Sequence, residues 1–134
     1  METRFCRSAS LLGPEAITHL HDRCVLLFGL GGVGSYVAEA LARTGVGHLI
    51  LVDHDTVSLS NINRQIIALQ STVGRLKTEV TKERLLDINP AMRVDTYPLF
   101  VTEESAATLP LSSCDYLVDA IDTVAAKLFL AEYA

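Results

Sequence analysis

The chain is expected to fold as an α/β domain, with a doubly wound, mostly parallel sheet and helices on both faces. Three observations predict it. Short apolar runs of strand length, Val25-Leu26-Leu27-Phe28 and His48 to Val52, alternate with longer segments of helical periodicity. These runs are continuous rather than alternating, as a parallel strand buried on both faces requires. A glycine-rich turn, Gly29-Leu30-Gly31-Gly32-Val33-Gly34, then joins the first run to a helix, a junction typical of strand–helix–strand units.

The elements follow in order. Gly13-Pro14 opens a short helix, Glu15 to about His21, with proline in its favoured first turn. After the first strand, a helix is predicted from about Val33 to Thr44. Its Val37, Ala40 and Leu41 recur at helical spacing, and Gly45 stands where a left-handed cap would end it. His48 to Val52 forms the second strand and ends at Asp53. Beyond a polar loop, Leu76 to Asn89 reads as a helix with Leu76, Val80, Leu85 and Ile88 inward, stopped by Pro90. Arg93 to Tyr97 alternates like a strand. Thr102 caps a helix whose Glu103 and Glu104 lie near the positive end of the helix dipole. Tyr116 to Val118 is a fourth strand, and another helix begins at Val124. Right-handed crossovers make 3-2-1-4 the expected strand order.

With 134 residues, no internal repeat and no low-complexity linker, one domain covering residues 1–134 is expected. The 49% of hydrophobic residues suffice for a core. A formal net charge of −5, from 11 basic and 16 acidic residues, argues against a broad nucleic-acid grip and leaves a local basic site open. Cys6, Cys24 and Cys114 are few, odd in number and widely spaced, which fits reduced thiols rather than a disulfide framework or a zinc site. His19 and His21 read as surface residues on different helix faces. The first residues, METRFCRSAS, lack the apolar stretch of a secretory signal. No apolar run approaches the ~20 residues that span a bilayer. No membrane association and a cytoplasmic location are therefore expected.

The turn at Gly29, Gly31, Gly32 and Gly34 satisfies G-x-G-x-x-G between a strand and a helix. Small residues there let backbone N–H groups approach a phosphate at the helix N-terminus. Asp53 ends the second strand at roughly the separation, ~20 residues, where an acid takes ribose hydroxyls. These features make the domain Rossmann-like and call for a nucleotide, without choosing between NAD and ATP. A dehydrogenase reading could stop there. It would leave the rest of VDHDTVSLSNINRQ, with its second aspartate, two asparagines and arginine, unexplained.

GLGGVGSYVAEALARTGVG, DHDTVSLSNINRQ, VGRLKTE, INP and DAID, in that order, resemble the ThiF/MoeB adenylating family, the relatives of ubiquitin-activating enzymes. The blocks cover nearly the whole chain. The resemblance implies an ATP- and Mg2+-dependent enzyme that activates carboxylates. It implies that the four turn glycines approach the nucleotide through backbone, that Asp53 binds ribose, and that Ser60, Asn61, Asn63 and Arg64 line the phosphates. Lys77 would neutralise charge at the reacting centre, and Asp122, beside Thr123, would hold the metal. Catalysis would rest on Arg64 and Lys77, with Arg7 lent to a second subunit of a homodimer and Arg4 as its alternative. An arginine fork and a mobile lysine suit a reaction that must bring a carboxylate to a triphosphate, and a carboxylate is a hard ligand for magnesium.

Bland readings stand beside these. Asp55 either caps the loop by bonding nearby N–H groups or joins the site. His54 reads as an exposed loop residue, and Asp119 as structural. ALARTGVG, NINRQIIAL, STVGRLKTEV and ERLLDINP are most similar to the branch of tRNA threonylcarbamoyladenosine dehydratases, with Asn63 setting it apart from the sulfur-carrier-activating branch. A tRNA substrate is then expected, with Arg75, Lys82 and Arg84 as local basic candidates. The alternatives are adenylation of a ubiquitin-like sulfur-carrier protein, a sulfur-transfer partner, or a non-catalytic nucleotide-binding subunit. Family members continue past the equivalent of Ala134, so the resemblance is to their N-terminal, ATP-binding portion.

Overall fold

Four parallel strands form the centre of the protein, in a computed structural model that describes residues 3–121. The expected helix from Val124, together with Asp122 and Thr123, lies outside the described residues. Strands β1 (Cys24–Phe28), β2 (His48–Val52), β3 (Arg93–Tyr97) and β4 (Tyr116–Asp119) are arranged β3-β2-β1-β4, the expected order. All three pairings are parallel, with Leu26 opposite Ile50 on one side and Leu117 on the other. Every residue of β1 is buried, as its continuous apolar run requires.

Among the described residues, five α-helices accompany the sheet: α1 (Cys6–Leu12), α2 (Pro14–His21), α3 (Gly34–Thr44), α4 (Lys77–Ile88) and α5 (Glu103–Ala106). The face carrying Val25, Leu27, Leu49, Leu51 and Val94 packs beneath α3 and α4. The opposite face, with Leu26, Phe28, Ile50 and Val52, is met by Leu99, Val101, Leu109 and Leu111 from the segment around α5.

Three local readings are corrected. The helix α1 escaped the sequence because it has no apolar stripe: none of its residues is buried and Leu11 is 85% exposed. In α3, the inward residues are Gly34, Ser35, Ala38 and Ala42, while Ala40 faces solvent. A stripe of small side chains at i, i+4 lets this helix lie close to β1; Val37 and Leu41 pack on its flanks. In α4, Thr78 and Thr81 join Val80 and Leu85 inside, and Thr81 satisfies its hydroxyl on the Lys77 carbonyl at 2.7 Å. The ends agree with the sequence: Gly45 closes α3 at φ 118°, and Asn89 ends α4 in extended backbone ahead of Pro90.

Because Ala42 is fully buried against the core and Ala40 is exposed, Ala42→Leu should cost about 1–3 kcal/mol by overpacking. Ala40→Leu should stay within about 0.5 kcal/mol of the parent. Urea unfolding of both variants checks this; equal losses would mean that α3 packs on a different face.

Candidate functional site

In an open parallel sheet, ligands settle beyond the carboxyl ends of the strands, where strand order reverses. The order β3-β2-β1-β4 places that reversal between β1 and β4. A cavity of about 390 Å³ opens there, walled by the chain immediately after each of the four strands. Its size falls in the usual ligand-pocket range of about 300–1,000 Å³.

The glycine turn forms the floor, and its glycines do different work. Gly29 has φ +94°, and a Cβ there would meet the Ala120 carbonyl oxygen at 2.6 Å. A Cβ on Gly34 would fall 1.7 Å from the Gly29 carbonyl oxygen. Both are glycine because the fold leaves no space. Gly31 and Gly32 lack positive φ, and a Cβ on either would meet nothing nearer than 3.6 Å. The fold alone does not demand glycine at these two positions, both on the cavity wall, and the bare backbone there leaves room for a bound group to approach. Leu30, fully buried between Gly29 and Gly31, anchors the turn, and Ser35 Oγ donates to the Gly31 carbonyl at 2.6 Å. The N–H groups of Gly31, Gly32 and Val33 make no hydrogen bond among the described residues, and α3 begins without a side-chain cap. Free donors at the positive end of an eleven-residue helix suit an anion.

Asp53 ties this floor to the next wall. Its Oδ2 accepts the Leu30 N–H and its Oδ1 accepts the Asp55 N–H, each at 2.7 Å. Each carboxylate oxygen retains a lone pair for a further donor such as a hydroxyl. The polar loop after Asp53 is pinned at its neck by the antiparallel bridge Thr56–Leu76, and Val57, Ile67 and Ala68 bury it from beneath. Its excursion carries Arg64 over the glycine turn, with the Arg64 stem 3.9 Å from where a Gly32 Cβ would stand. Arg64 Nη1 donates to the Ser60 carbonyl at 3.1 Å and to Asn63 Oδ1 at 2.9 Å, which aims the remaining guanidinium donors.

Lys77 is the decisive group electrostatically. It is 5% exposed, it is the first residue of α4, and its one carboxylate partner among the described residues, Asp55 Oδ2, lies 3.9 Å away. A cation at the positive end of a helix, desolvated and without a close hydrogen-bonded counter-ion, is under-compensated. The cavity beside it would relieve that strain by taking an anion. The other end of the cavity is apolar: Val52, Leu99, Phe100, Val101, Ala120 and Ile121 offer a slot for a flat base, with His54 edge-on to Phe100 at 4.9 Å between ring centroids. Phosphates at the cationic end, ribose at Asp53 and a base in this slot follow the cavity's own polarity. ATP therefore fits the residues present. Magnesium fits the oxygen-donor character of the acids nearby, among which Asp53 and Asp55 bring ligand atoms together with His54 within 4.8 Å.

Of the residues expected from sequence, Gly29, Gly31, Gly32, Asp53, Asp55, Arg64 and Lys77 come together on the cavity wall. Gly34, Ser60, Asn61 and Asn63 do not line it. Gly34 packs beneath the turn; Ser60 and Asn63 hold Arg64; Asn61 turns inward, where its Oδ1 accepts the Ser58 N–H at 2.8 Å and closes the 3-10 turn Leu59–Asn61. Arg7 is exposed on α1, has no ion pair or hydrogen bond among the described residues, and is remote from this chain's cavity wall. Arg4 donates from Nε to the Ile88 carbonyl at 3.0 Å, a cap on the last turn of α4. Asp122 and Thr123 lie outside the described residues.

Several wall residues were missed. His54, read as a loop residue, stands at the rim, and the Leu99–Val101 and Ala120–Ile121 pairs of walls could have been found by applying the carboxyl-end rule to β3 and β4. Gln65 is 6% exposed and lines the cavity, and its Oε1 is buried without a partner among the described residues. The sequence signal for it was only its place beside Arg64. The basic candidates for nucleic acid fare differently: Arg75 pairs with Glu79 and Glu83, and Arg84 with Glu39, so their charge is largely neutralised. The hydrogen bond from Arg75 also lowers the Glu83 carboxyl below its ordinary range. Of the three candidates, Lys82 alone has no carboxylate partner among the described residues.

The ThiF family model matches residues 5–134. The chain belongs to the ThiF family. It is 44% identical over 127 residues to the tRNA threonylcarbamoyladenosine dehydratase of Bacillus subtilis, covering 95% of this chain and 50% of that protein. It is 35% identical over 123 residues to a sulfur carrier protein adenylyltransferase of Thermus thermophilus, covering 92% and 45%. The Escherichia coli tRNA N6-threonylcarbamoyladenosine dehydratase, solved in complex with ATP, superposes with a TM-score of 0.90 at 43% identity, over 97% of this chain and 55% of that one. This ThiF-family chain thus spans about half the length of the curated relatives it matches.

The two classes of glycine give a test. Gly34→Ala should abolish cooperative folding, because its Cβ would collide with backbone. Gly31→Ala should unfold like the parent yet lose about 1–3 kcal/mol of nucleotide affinity through an overpacked contact. Thermal unfolding and calorimetry separate the two; a Gly31→Ala variant with unchanged affinity would remove the glycine floor from the site.

Proposed function

We propose that this ThiF-family chain forms the ATP-binding part of an enzyme that activates a carboxylate by adenylation, and that the carboxylate is the threonylcarbamoyl group on a tRNA adenosine. The observation that carries the reading is Lys77, a buried and poorly compensated cation set against the cavity opposite Arg64 and the free N–H groups of the glycine turn. That arrangement suits a triphosphate receiving a second anion better than it suits the hydride transfer of a dinucleotide. The tRNA assignment draws its support from the identities of 42–45% with three bacterial dehydratases, which exceed the 35% with the sulfur-carrier enzyme.

In this mechanism, Asp53 orients the ribose and the glycine turn holds the phosphates. Arg64 and Lys77 offset the repulsion as a carboxylate oxygen attacks the α-phosphorus and pyrophosphate leaves. Within the resulting acyl adenylate, a nucleophile of the same threonylcarbamoyl group displaces AMP, and the ring closes with net loss of water. Asp122, beside Thr123, is assigned to Mg2+, which would supply further neutralisation of the phosphates. Ser60, Asn61 and Asn63 act as the frame of Arg64. Exposed Arg7 is assigned to the site of a second protomer in a homodimer. A cytoplasmic setting is proposed with it, since tRNA is the substrate. With Arg75 and Arg84 already paired, tRNA contacts fall to Lys82 and to parts of the protein outside residues 3–121.

Given ATP and threonylcarbamoyl-modified tRNA, the intact protein should convert that nucleoside to its dehydrated form, read by mass spectrometry of digested tRNA. Adenylation of a ubiquitin-like tail instead would assign the sulfur-carrier substrate; nucleotide binding with neither reaction would indicate a non-catalytic subunit. Arg64→Ala and Lys77→Ala should each slow ATP–pyrophosphate exchange by about 10²–10³-fold while the protein still folds. Calorimetry should show binding of ATP with magnesium in clear preference to NAD, and tighter NAD binding would overturn the nucleotide assignment.

A further inference from the structure

Two cysteines that lie far apart in sequence meet at the end of the sheet opposite the cavity. The Cys24 thiol, at the first residue of β1, donates to Cys114 Sγ at 3.4 Å, and Cys114 in turn reaches the Pro110 carbonyl oxygen at 3.4 Å. The backbone around them is braced. The Cys24 N–H donates to Asp115 Oδ2 at 2.8 Å, the Asp115 N–H to the Cys24 carbonyl at 2.9 Å, and Arg23 pairs with the same carboxylate at 3.5 Å. The start of β1 and the approach to β4 are thus held side by side whatever the sulfurs do. The register sets Asp115 level with Cys24, so Cys114 stands one residue off it; a strand spacing of ~4.8 Å and a rise of ~3.3 Å per residue give a diagonal of about 5.8 Å, within the Cα separations of about 4.4–6.8 Å that a disulfide spans. Closure then needs rotation of two side chains and a small adjustment of Cys114, with no parting of the strands.

We propose that Cys24 and Cys114 form a redox-active dithiol, a reversible modification site that closes into a disulfide on encounter with a low-molecular-weight disulfide. The two thiols have unequal parts. Cys24 is 7% exposed, and burial, reinforced by its hydrogen bond to Cys114, pushes its thiol up to about 12. It is protonated at neutral pH and inaccessible to a reagent. Cys114 is only half-buried and is the entering nucleophile. Its thiolate attacks one sulfur of the small disulfide, which breaks that S–S bond and releases one thiolate. Cys24 then gives up its proton and attacks Cys114 Sγ, expelling the second thiolate. Two protein thiols are oxidised and one small disulfide is reduced to two thiols, which carry away both protons. Excess thiol reverses the sequence. In a reducing compartment such a pair stays open and closes transiently, as cytosolic disulfides do.

The third cysteine supplies the internal control: Cys6, on α1, has no sulfur partner. The intact protein is incubated with oxidised glutathione, its remaining thiols are alkylated, and its peptides are mapped by mass spectrometry. The expected product is a cross-link between the peptides of Cys24 and Cys114, lost on adding dithiothreitol, with Cys6 alkylated. Because deprotonation of Cys24 limits closure, the rate should rise about tenfold per pH unit between pH 7 and 9. Cys114→Ser should abolish the cross-link and leave Cys24 unmodified until the protein is denatured. A stable glutathione adduct on Cys114 without the cross-link would overturn the proposal, as would cross-linking through Cys6 or full alkylation of both cysteines. The readout is independent of ATP, so it stands or falls apart from the proposed function.

Discussion

The carboxylate of Asp53 joins two loops that would otherwise be independent. By accepting the N–H of Leu30 and that of Asp55, it fixes the glycine turn after β1 to the polar loop after β2. The turn cannot be placed otherwise, because Gly34 sits against the Gly29 carbonyl and Leu30 is plugged into the core. Through this one side chain the turn that bears the free N–H groups and the start of the loop that carries Arg64 keep a fixed relation. Two of the carboxylate's lone pairs hold the walls, and the others remain open to a further donor such as a hydroxyl.

The second constraint is charge. The protein carries a formal net charge of −5, yet its cavity gathers Lys77, Arg64 and the positive ends of α3 and α4. Two acids, Asp53 and Asp55, share the wall with these groups. Asp53 is engaged by backbone N–H groups and Asp55 stands 3.9 Å from Lys77. Away from the cavity, Arg75 and Arg84 are answered by glutamates on neighbouring turns and on α3, so that surface does not act as a basic track.

Much of this was legible beforehand because parallel-sheet domains announce themselves locally. A run such as Val25 to Phe28 must be buried on both faces. A glycine turn between it and a helix has few structural uses, and right-handed crossovers leave little choice of strand order. The errors arose where local pattern and packing part company. Ala40 lies on the solvent face because α3 approaches the sheet along its smallest side chains, which carry the weakest hydrophobic signal. Asn61 has the composition of a ligand-binding residue but spends its carboxamide on closing its own turn.

The sequence by itself determined the strand–helix alternation, the glycine turn, and the choice of Asp53, Arg64 and Lys77 as residues of one cavity, because each is carried by spacing within one short segment. Only the tertiary structure decided what crosses between segments. It separated the glycines required by the fold from those that leave room for a ligand. It recruited Leu99 to Val101 and Ala120-Ile121 as the apolar end of the cavity, and it brought the Cys24 and Cys114 sulfurs to 3.4 Å. Those relations depend on the register of β1 against β4, a pairing between strands far apart in the chain that no local pattern encodes.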